Sequence, residues 1–189
     1  MNRCRALLRL LPLIAAGTLL QGCLLVRSTE HRIWLNGNGG GEAIMRLIDI
    51  RSDGATDSAR VRDFGIMMAS VELDGLKEFE QFGRKVIKKQ FRVSGDTLSA
   101  EITYTFAALE ALEGMKVTED EISVTVNDAR EIVRTNGSVS SGELNTKHIS
   151  WPRDARRLMY EISERSMPPS TSLAGLYLRY EGGKGDGGR

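Results

Sequence analysis

Apolar and polar positions alternate most cleanly between Thr97 and Phe106, where Leu98, Ala100, Ile102, Tyr104 and Phe106 interleave with Thr97, Ser99, Glu101, Thr103 and Thr105. A period of two rich in β-branched and aromatic residues predicts a strand with one buried face and one face of Thr and Ser in water. Arg84 to Val93 precedes it across Ser94-Gly95-Asp96, with Ile87, Phe91 and Val93 at even spacing, so the two segments form a hairpin. An earlier hairpin joins Thr29–Leu35 to Ala43–Ile50 across Asn36-Gly37-Asn38-Gly39-Gly40-Gly41. In its first strand His31, Ile33 and Leu35 share one face, and Arg32 and Trp34 the other. Ile122, Val124 and Val126, and then Leu158, Tyr160 and Ile162, repeat the same period, with Ile132 and Ile149 marking shorter strands. A different spacing runs from Ser58 to Phe82: Val61, Phe64, Met68, Val71, Leu76, Phe79 and Phe82 recur every three to five residues and predict a helix, interrupted near Gly75. Ala107 to Glu113 adds one or two helical turns stopped at Gly114. Leu173 to Tyr180, with Ser170 or Thr171 as N-cap, forms a short terminal helix. The expected fold class is α+β: an antiparallel sheet of six to eight strands with one principal helix and a short C-terminal helix.

The N-terminus follows none of these periods. Arg3, Arg5 and Arg9 precede an apolar run from Leu10 to Leu20, and the first 22 residues hold no acid. A basic start and an apolar run of about eleven residues, too short to span a bilayer, make a secretory signal pattern. The run ends in Leu20-Gln21-Gly22-Cys23, which resembles the lipobox of bacterial lipoproteins: an aliphatic residue three before the cysteine and a small one just before it. The resemblance implies cleavage after Gly22, a diacylglyceryl thioether on Cys23 and, in many bacteria, acylation of the new amino terminus. Two or three chains hold a protein durably at a membrane where one does so only reversibly. Leu24 after the cysteine favours the outer membrane if the source is Gram-negative. The layout of lipobox, strand, Gly-rich turn, strand, helix and hairpin is also loosely similar to small bacterial lipoproteins of the LppM type. That likeness implies an α+β domain at a membrane and carries over no site residue.

The chain accordingly divides into a removed signal peptide (1–22), a lipidated short linker (23–29), one α+β domain (30–180) and a disordered Gly-rich tail (181–189). Cys4 leaves with the signal and Cys23 carries lipid, so no cysteine remains for a disulfide and the core alone must hold the domain. Of 26 basic residues three leave with the signal, so 23 remain against 25 acidic ones. This near-neutral balance excludes nucleic-acid binding by bulk charge.

Candidate chemistry is sparse. The Asn36–Gly41 loop is rich enough in glycine to cradle an anion, but Glu42 and a strand follow it where a phosphate loop needs Lys, a hydroxyl residue and a helix. Only His31 and His148 supply imidazole, and they fall in different strands without a ligand-spaced partner. Glu119-Asp120-Glu121 lacks the spacing of a calcium loop. Ser138, Ser140 and Ser141 follow the turn Asn136-Gly137 and match no nucleophile motif. No metal, cofactor or nucleic-acid partner and no catalytic residue is expected. The basic run Arg84 to Arg92 reads as a strand with Arg84, Lys88 and Arg92 on one face and Lys85 and Lys89 on the other. Trp34, Phe64, Met67, Met68, Phe79, Phe82, Phe91, Tyr104 and Phe106 read as core. The resulting expectation is a non-enzymatic, lipid-anchored cell-envelope protein acting through protein or lipid contacts, with Cys23 as its one site residue. The alternative is a carrier or sensor of an apolar ligand held between helix and sheet, and third a hydrolase with an unrecognised site.

Overall fold

The computed structural model describes residues 23–72, 80 and 82–186. The signal segment, Gly75, Leu76 and Phe79 of the expected helix, and the last three residues of the expected tail lie outside the described residues. Eleven strands and two helices are present among those described: β1 (Leu24–Leu35), β2 (Gly41–Ser52), α1 (Asp57–Glu72), β3 (Arg84–Ser94), β4 (Thr97–Phe106), β5 (Met115–Val117), β6 (Glu121–Val126), β7 (Arg130–Thr135), β8 (Ser138–Ser141), β9 (Lys147–Pro152), β10 (Arg157–Glu164), β11 (Thr171–Ser172) and α2 (Ala174–Asp186). The class is α+β, with more strands than the six to eight expected.

The strands form two antiparallel sheets. The larger runs β3-β4-β2-β1-β10-β7, with β11 paired to the end of β2, and the smaller runs β5-β6-β9-β8. One face of the large sheet is covered along its whole length. Its upper part, with Ile33, Ile102, Tyr104, Phe106, Leu158 and Tyr160, packs against Ile122, Val124, Ile149 and Trp151 of the small sheet. Its lower part, with Ile50, Leu98 and Ala100, packs against Met67, Met68 and Val71 of α1 and Leu173 and Ala174 at the start of α2. β4 therefore packs its even positions on helices at one end and on a second sheet at the other, where the sequence expectation has the helix alone.

The two sheets are stitched at Asn136-Gly137, the turn that carries the chain from β7 to β8. The Asn136 side-chain oxygen accepts from the Trp151 indole at 2.8 Å and the Met159 N–H at 2.7 Å, and its amide donates to the Arg157 carbonyl at 2.9 Å. Gly137 is required by close approach, because a Cβ there would lie 2.7 Å from both the Ser150 carbonyl and the Trp151 ring.

Four expectations are corrected. β1 begins at Leu24, and Leu24 and Val26 pack into the lower core, so residues 24–29 are sheet and form no linker. The polar run Arg27-Ser28-Thr29-Glu30 hides this because the alternation changes phase there. Asp49, opposite Arg27 in the β1–β2 register, adopts φ 57°, and the inward positions of β2 shift from Ala43, Met45 and Leu47 to Ile50 and Ser52. In α1 the buried stripe is Ala59, Asp63, Met67, Met68 and Val71, so Met68 and Val71 are inward as expected while Val61 lies on the solvent side. Asp63 interrupts the apolar pattern because it accepts a hydrogen bond from Ser52 Oγ inside the core. Phe82 is exposed in the turn before β3, and Trp34 lies on the face of the sheet opposite the core, so neither is core.

The fourth correction concerns the C-terminus. α2 continues through Gly182 and Gly183 to Asp186, past the expected start of the tail. Its first turn is fixed by burial of Leu173 and Ala174, by the Ala174 N–H donated to Ser172 Oγ at 3.1 Å, and by Tyr177 N–H to Leu173 O at 3.0 Å. Each later residue then adds one hydrogen bond to a helix already nucleated. Ser172 does the capping in place of Ser170 or Thr171.

Candidate functional site

The face of the large sheet that no described element covers carries a row of polar side chains that crosses six strands. In register, Gln90 of β3 faces Glu101 of β4, which faces Arg46 of β2, then Glu30 of β1, Glu161 of β10 and Arg134 of β7. Strands about 4.8 Å apart make this row roughly 24 Å long. Every member points away from the core because its strand neighbours, such as Ala100 and Ile102 beside Glu101 and Tyr160 beside Glu161, point into it.

The row is held by charge-assisted hydrogen bonds. Glu101 accepts from Arg46 at 2.8 Å and from the Gln90 amide at 2.6 Å. Glu30 accepts from Arg32 at 2.7 Å and from Arg134 at 2.8 Å, with Arg46 a third cation at 3.4 Å. Glu30 and Glu161 are direct cross-strand neighbours of like charge, an arrangement that is unfavourable by itself. Arg134 resolves it by bridging the two, its Nε donating to Glu161 at 2.8 Å while another nitrogen serves Glu30. Ser28 completes Glu161 at 3.0 Å. Arg46, donating a hydrogen bond to Glu101, holds that carboxyl below the usual carboxylate range against a smaller effect of burial.

The carboxylates lie beneath and the guanidiniums lie on top. The Glu30 side chain is 2% exposed and Glu101 13%, whereas Arg92 is 63% and Arg134 49% exposed. The long stems of arginine cover the acids and present positive charge outward. A second cluster continues the pattern toward the start of β1: Asp49 accepts from Arg27 at 2.8 Å and Arg51 at 3.1 Å, and Arg51 reaches the Ser170 carbonyl at 2.7 Å.

The basic run of β3 joins this face differently from the sequence expectation. The register shifts between Val86 and Lys88, leaving Ile87 as an exposed bulge residue. One extra residue inverts the alternation. Lys85, Lys88 and Arg92 therefore stand opposite Thr105, Thr103 and Ser99 on the open face, while Arg84 and Lys89 pair with the inward residues Phe106 and Ile102. Trp34 shares the open face under the Arg157 guanidinium, 5.7 Å from its ring.

Cys23 precedes β1 immediately. Its backbone N–H donates to the Asp53 carboxylate and its carbonyl accepts from the Asp53 N–H at 3.2 Å, so it is tied to the end of β2. Leu24 and Val26 point into the core, and alternation directs Leu25 and Cys23 to the open side.

The remaining candidates are scattered. His31 lies on the inner face of β1, stacked on Tyr160 at 4.7 Å, and burial together with the Arg84 and Arg130 charges lowers it to about 4. Burial also raises Tyr104, to about 12, and Tyr160. His148 is on β9 of the small sheet, bonded through Nδ1 to Thr125 Oγ1 at 3.0 Å. Ser138, Ser140 and Ser141 are exposed on β8; Ser140 is the register partner of His148. Glu119 and Asp120 form the turn before β6, which Glu121 begins. The Asn36–Gly41 loop is closed by Asn36 N–H to Gly40 O at 2.9 Å and packed on β4, since a Cβ on Gly40 would lie 2.7 Å from the Phe106 and Ala107 carbonyls. Gly40 and Gly41 serve close packing of backbone on backbone, whereas Gly39 serves the turn through its φ of 84°.

Of the sequence candidates, the structure brings only the β3 cations to the charged row and places the histidines and serines off it. The row's trace in the sequence is Arg46 within Ala43–Ile50 and Glu101 within Leu98–Phe106, charges in otherwise apolar or hydroxyl-bearing strands. Comparison with protein-family models, with curated proteins and with solved structures finds no match.

Proposed function

We propose that the chain is a lipid-anchored cell-envelope lipoprotein, acylated on Cys23, whose domain acts without catalysis through protein or lipid contacts at the membrane surface. The observation that carries the reading is the run Leu20-Gln21-Gly22-Cys23 leading directly into β1, with Cys23 tied to Asp53. An anchor at this position holds the large sheet at the bilayer with no tether between them. The arginine-covered face of that sheet supplies a contact surface that a purely structural domain does not need. The side chains between helices and sheet, Met67, Met68, Val71, Leu98 and Leu173, are buried against one another, which supports contact at the surface over carriage of a ligand inside. In a Gram-negative source Leu24 favours the outer membrane.

The test is intact mass and membrane fractionation of the expressed full-length chain beside Cys23→Ser. The expected wild type carries a diacylglyceryl-sized addition on a chain beginning at Cys23 and sediments with membranes, while the variant is unmodified and does not. Unmodified, non-sedimenting protein in both cases overturns the reading.

A further inference from the structure

We infer that the open face of the large sheet is the surface that lies flat against an anionic bilayer when the chain is held at Cys23. The inference rests on the acylation proposed above and adds the orientation of the domain and the chemistry of the lipid it meets.

Three observations converge. First, the anchor exits on this face: Leu24 and Val26 are committed to the lower core, so Cys23 and Leu25 alternate to the open side, and no linker lets the domain stand away. Second, the face is electrostatically layered. Glu30, Glu101 and Glu161 are sunk between strands and neutralised by the arginines above them, so the outermost charges of the row are guanidinium groups, and the exposed acids Glu42 and Glu131 on the same face are outnumbered by Arg27, Arg32, Lys85, Lys88, Arg92 and Arg134. Global charge does not produce this, because the chain from Cys23 onward has slightly more acids than bases. Third, the bulge at Ile87 aligns Lys85, Lys88 and Arg92 beside the hydroxyls of Thr105, Thr103 and Ser99. Cations beside hydroxyl donors suit the phosphates of lipid headgroups, each cation favouring an anionic surface by about five-fold. Trp34 and Ile44 on the same face supply the amphipathic and apolar contacts that an interface accepts.

The geometry separates this orientation from an upright one. Trp34 lies eleven residues from Cys23 along a single strand, about 36 Å at the usual rise. A domain standing on its anchor holds Trp34 far from the lipid, whereas a flat domain puts it at the interface. The only other tryptophan, Trp151, is buried between the sheets and insulated from any membrane.

The acylated full-length protein, its modification established by mass, is reconstituted into vesicles of phosphatidylcholine alone or mixed with phosphatidylglycerol, each containing brominated acyl chains that quench tryptophan on contact. Trp34 emission is expected to be quenched in the anionic vesicles, to recover in molar salt, and to be little affected in the neutral ones. A combined Lys85→Gln, Lys88→Gln and Arg92→Gln chain should shift the flat-to-upright ratio about 100-fold toward upright. Acylated protein whose Trp34 ignores anionic lipid, or is quenched equally in both vesicles and in high salt, overturns the inference while leaving the acylation reading intact, and assigns the face to a protein partner instead. An unmodified mass overturns the acylation reading before any vesicle is made.

Discussion

The two faces of the large sheet are built from the same strands and solve burial in opposite ways. On the inner face, Ile33, Ala43, Leu98, Ala100 and Leu158 are removed from water by a second layer of sheet and helix, and dispersion and the hydrophobic effect hold them. On the outer face no described element covers the strands, yet Glu30 is as deeply buried as the core. Its shelter consists of other side chains, Arg32 of its own strand, Arg46 of β2 and Arg134 of β7, folded across it. A carboxylate so placed is stable only because Arg32, Arg46 and Arg134 converge on it. The inner face depends on volume, and the outer one on charge and register. That difference tells where each face breaks.

The largest effect is expected on the outer face. Glu30→Ala leaves three guanidiniums converging without their shared acid and should cost about 3 kcal/mol in chemical denaturation, comparable to truncating a core leucine. A loss below about 1 kcal/mol would mean that the row is ordinary surface charge, and the contrast between the faces would weaken.

The inner face should answer to acid. His31 is lowered from 6.5 to about 4 by burial, so the unfolded chain takes up its proton first as pH falls. Its contribution is complete above pH 6.5 and is lost as pH drops toward 4, by about 2 kcal/mol between pH 7 and pH 5. His31→Phe, which keeps a ring against Tyr160, should flatten that part of the stability profile. The lowered Glu101 on the outer face has the same sign and acts in a more acidic window, losing its contribution as pH falls from the usual carboxylate value toward its folded one. A variant profile as steep as the wild type between pH 7 and pH 5 would place the acid sensitivity elsewhere.

The smallest effect sharpens the boundary where the inward set of positions changes phase. Asp49→Ala removes the acceptor of Arg27 and Arg51 and leaves a Cβ at positive φ, whereas Asp49→Gly removes only the acceptor. Thermal unfolding should show Asp49→Ala about 1 kcal/mol less stable than Asp49→Gly. Equal stability would show that the ion pairs, and not the backbone, account for aspartate there.

Much of the architecture was legible because alternation along one strand is a local property. The β3–β4 hairpin, the inward positions His31, Ile33 and Leu35, and the α+β class follow from it. It failed where a single residue changed the phase, at Asp49 and at Ile87, and where a polar residue was buried with a partner, as Asp63 is with Ser52. The charged row escaped entirely, since its members are dispersed from Glu30 to Glu161 and no window of sequence contains more than two.

By itself, the sequence determined the main hairpins, the principal helix and the α+β class, placed a cysteine in a run resembling a lipobox ahead of the first strand and left no cysteine after it, all matters of short-range pattern. Tertiary structure decided which strands neighbour one another, and with that which charges meet. Arg134 can join Glu30 to Glu161 only after β1, β10 and β7 lie side by side, and the open face gains its excess of outward cations only once Glu30, Glu101 and Glu161 have sunk beneath its arginines. Register is a long-range property, set by the packing of the opposite, apolar face, and a charge pattern written through register can be read only in the folded sheet.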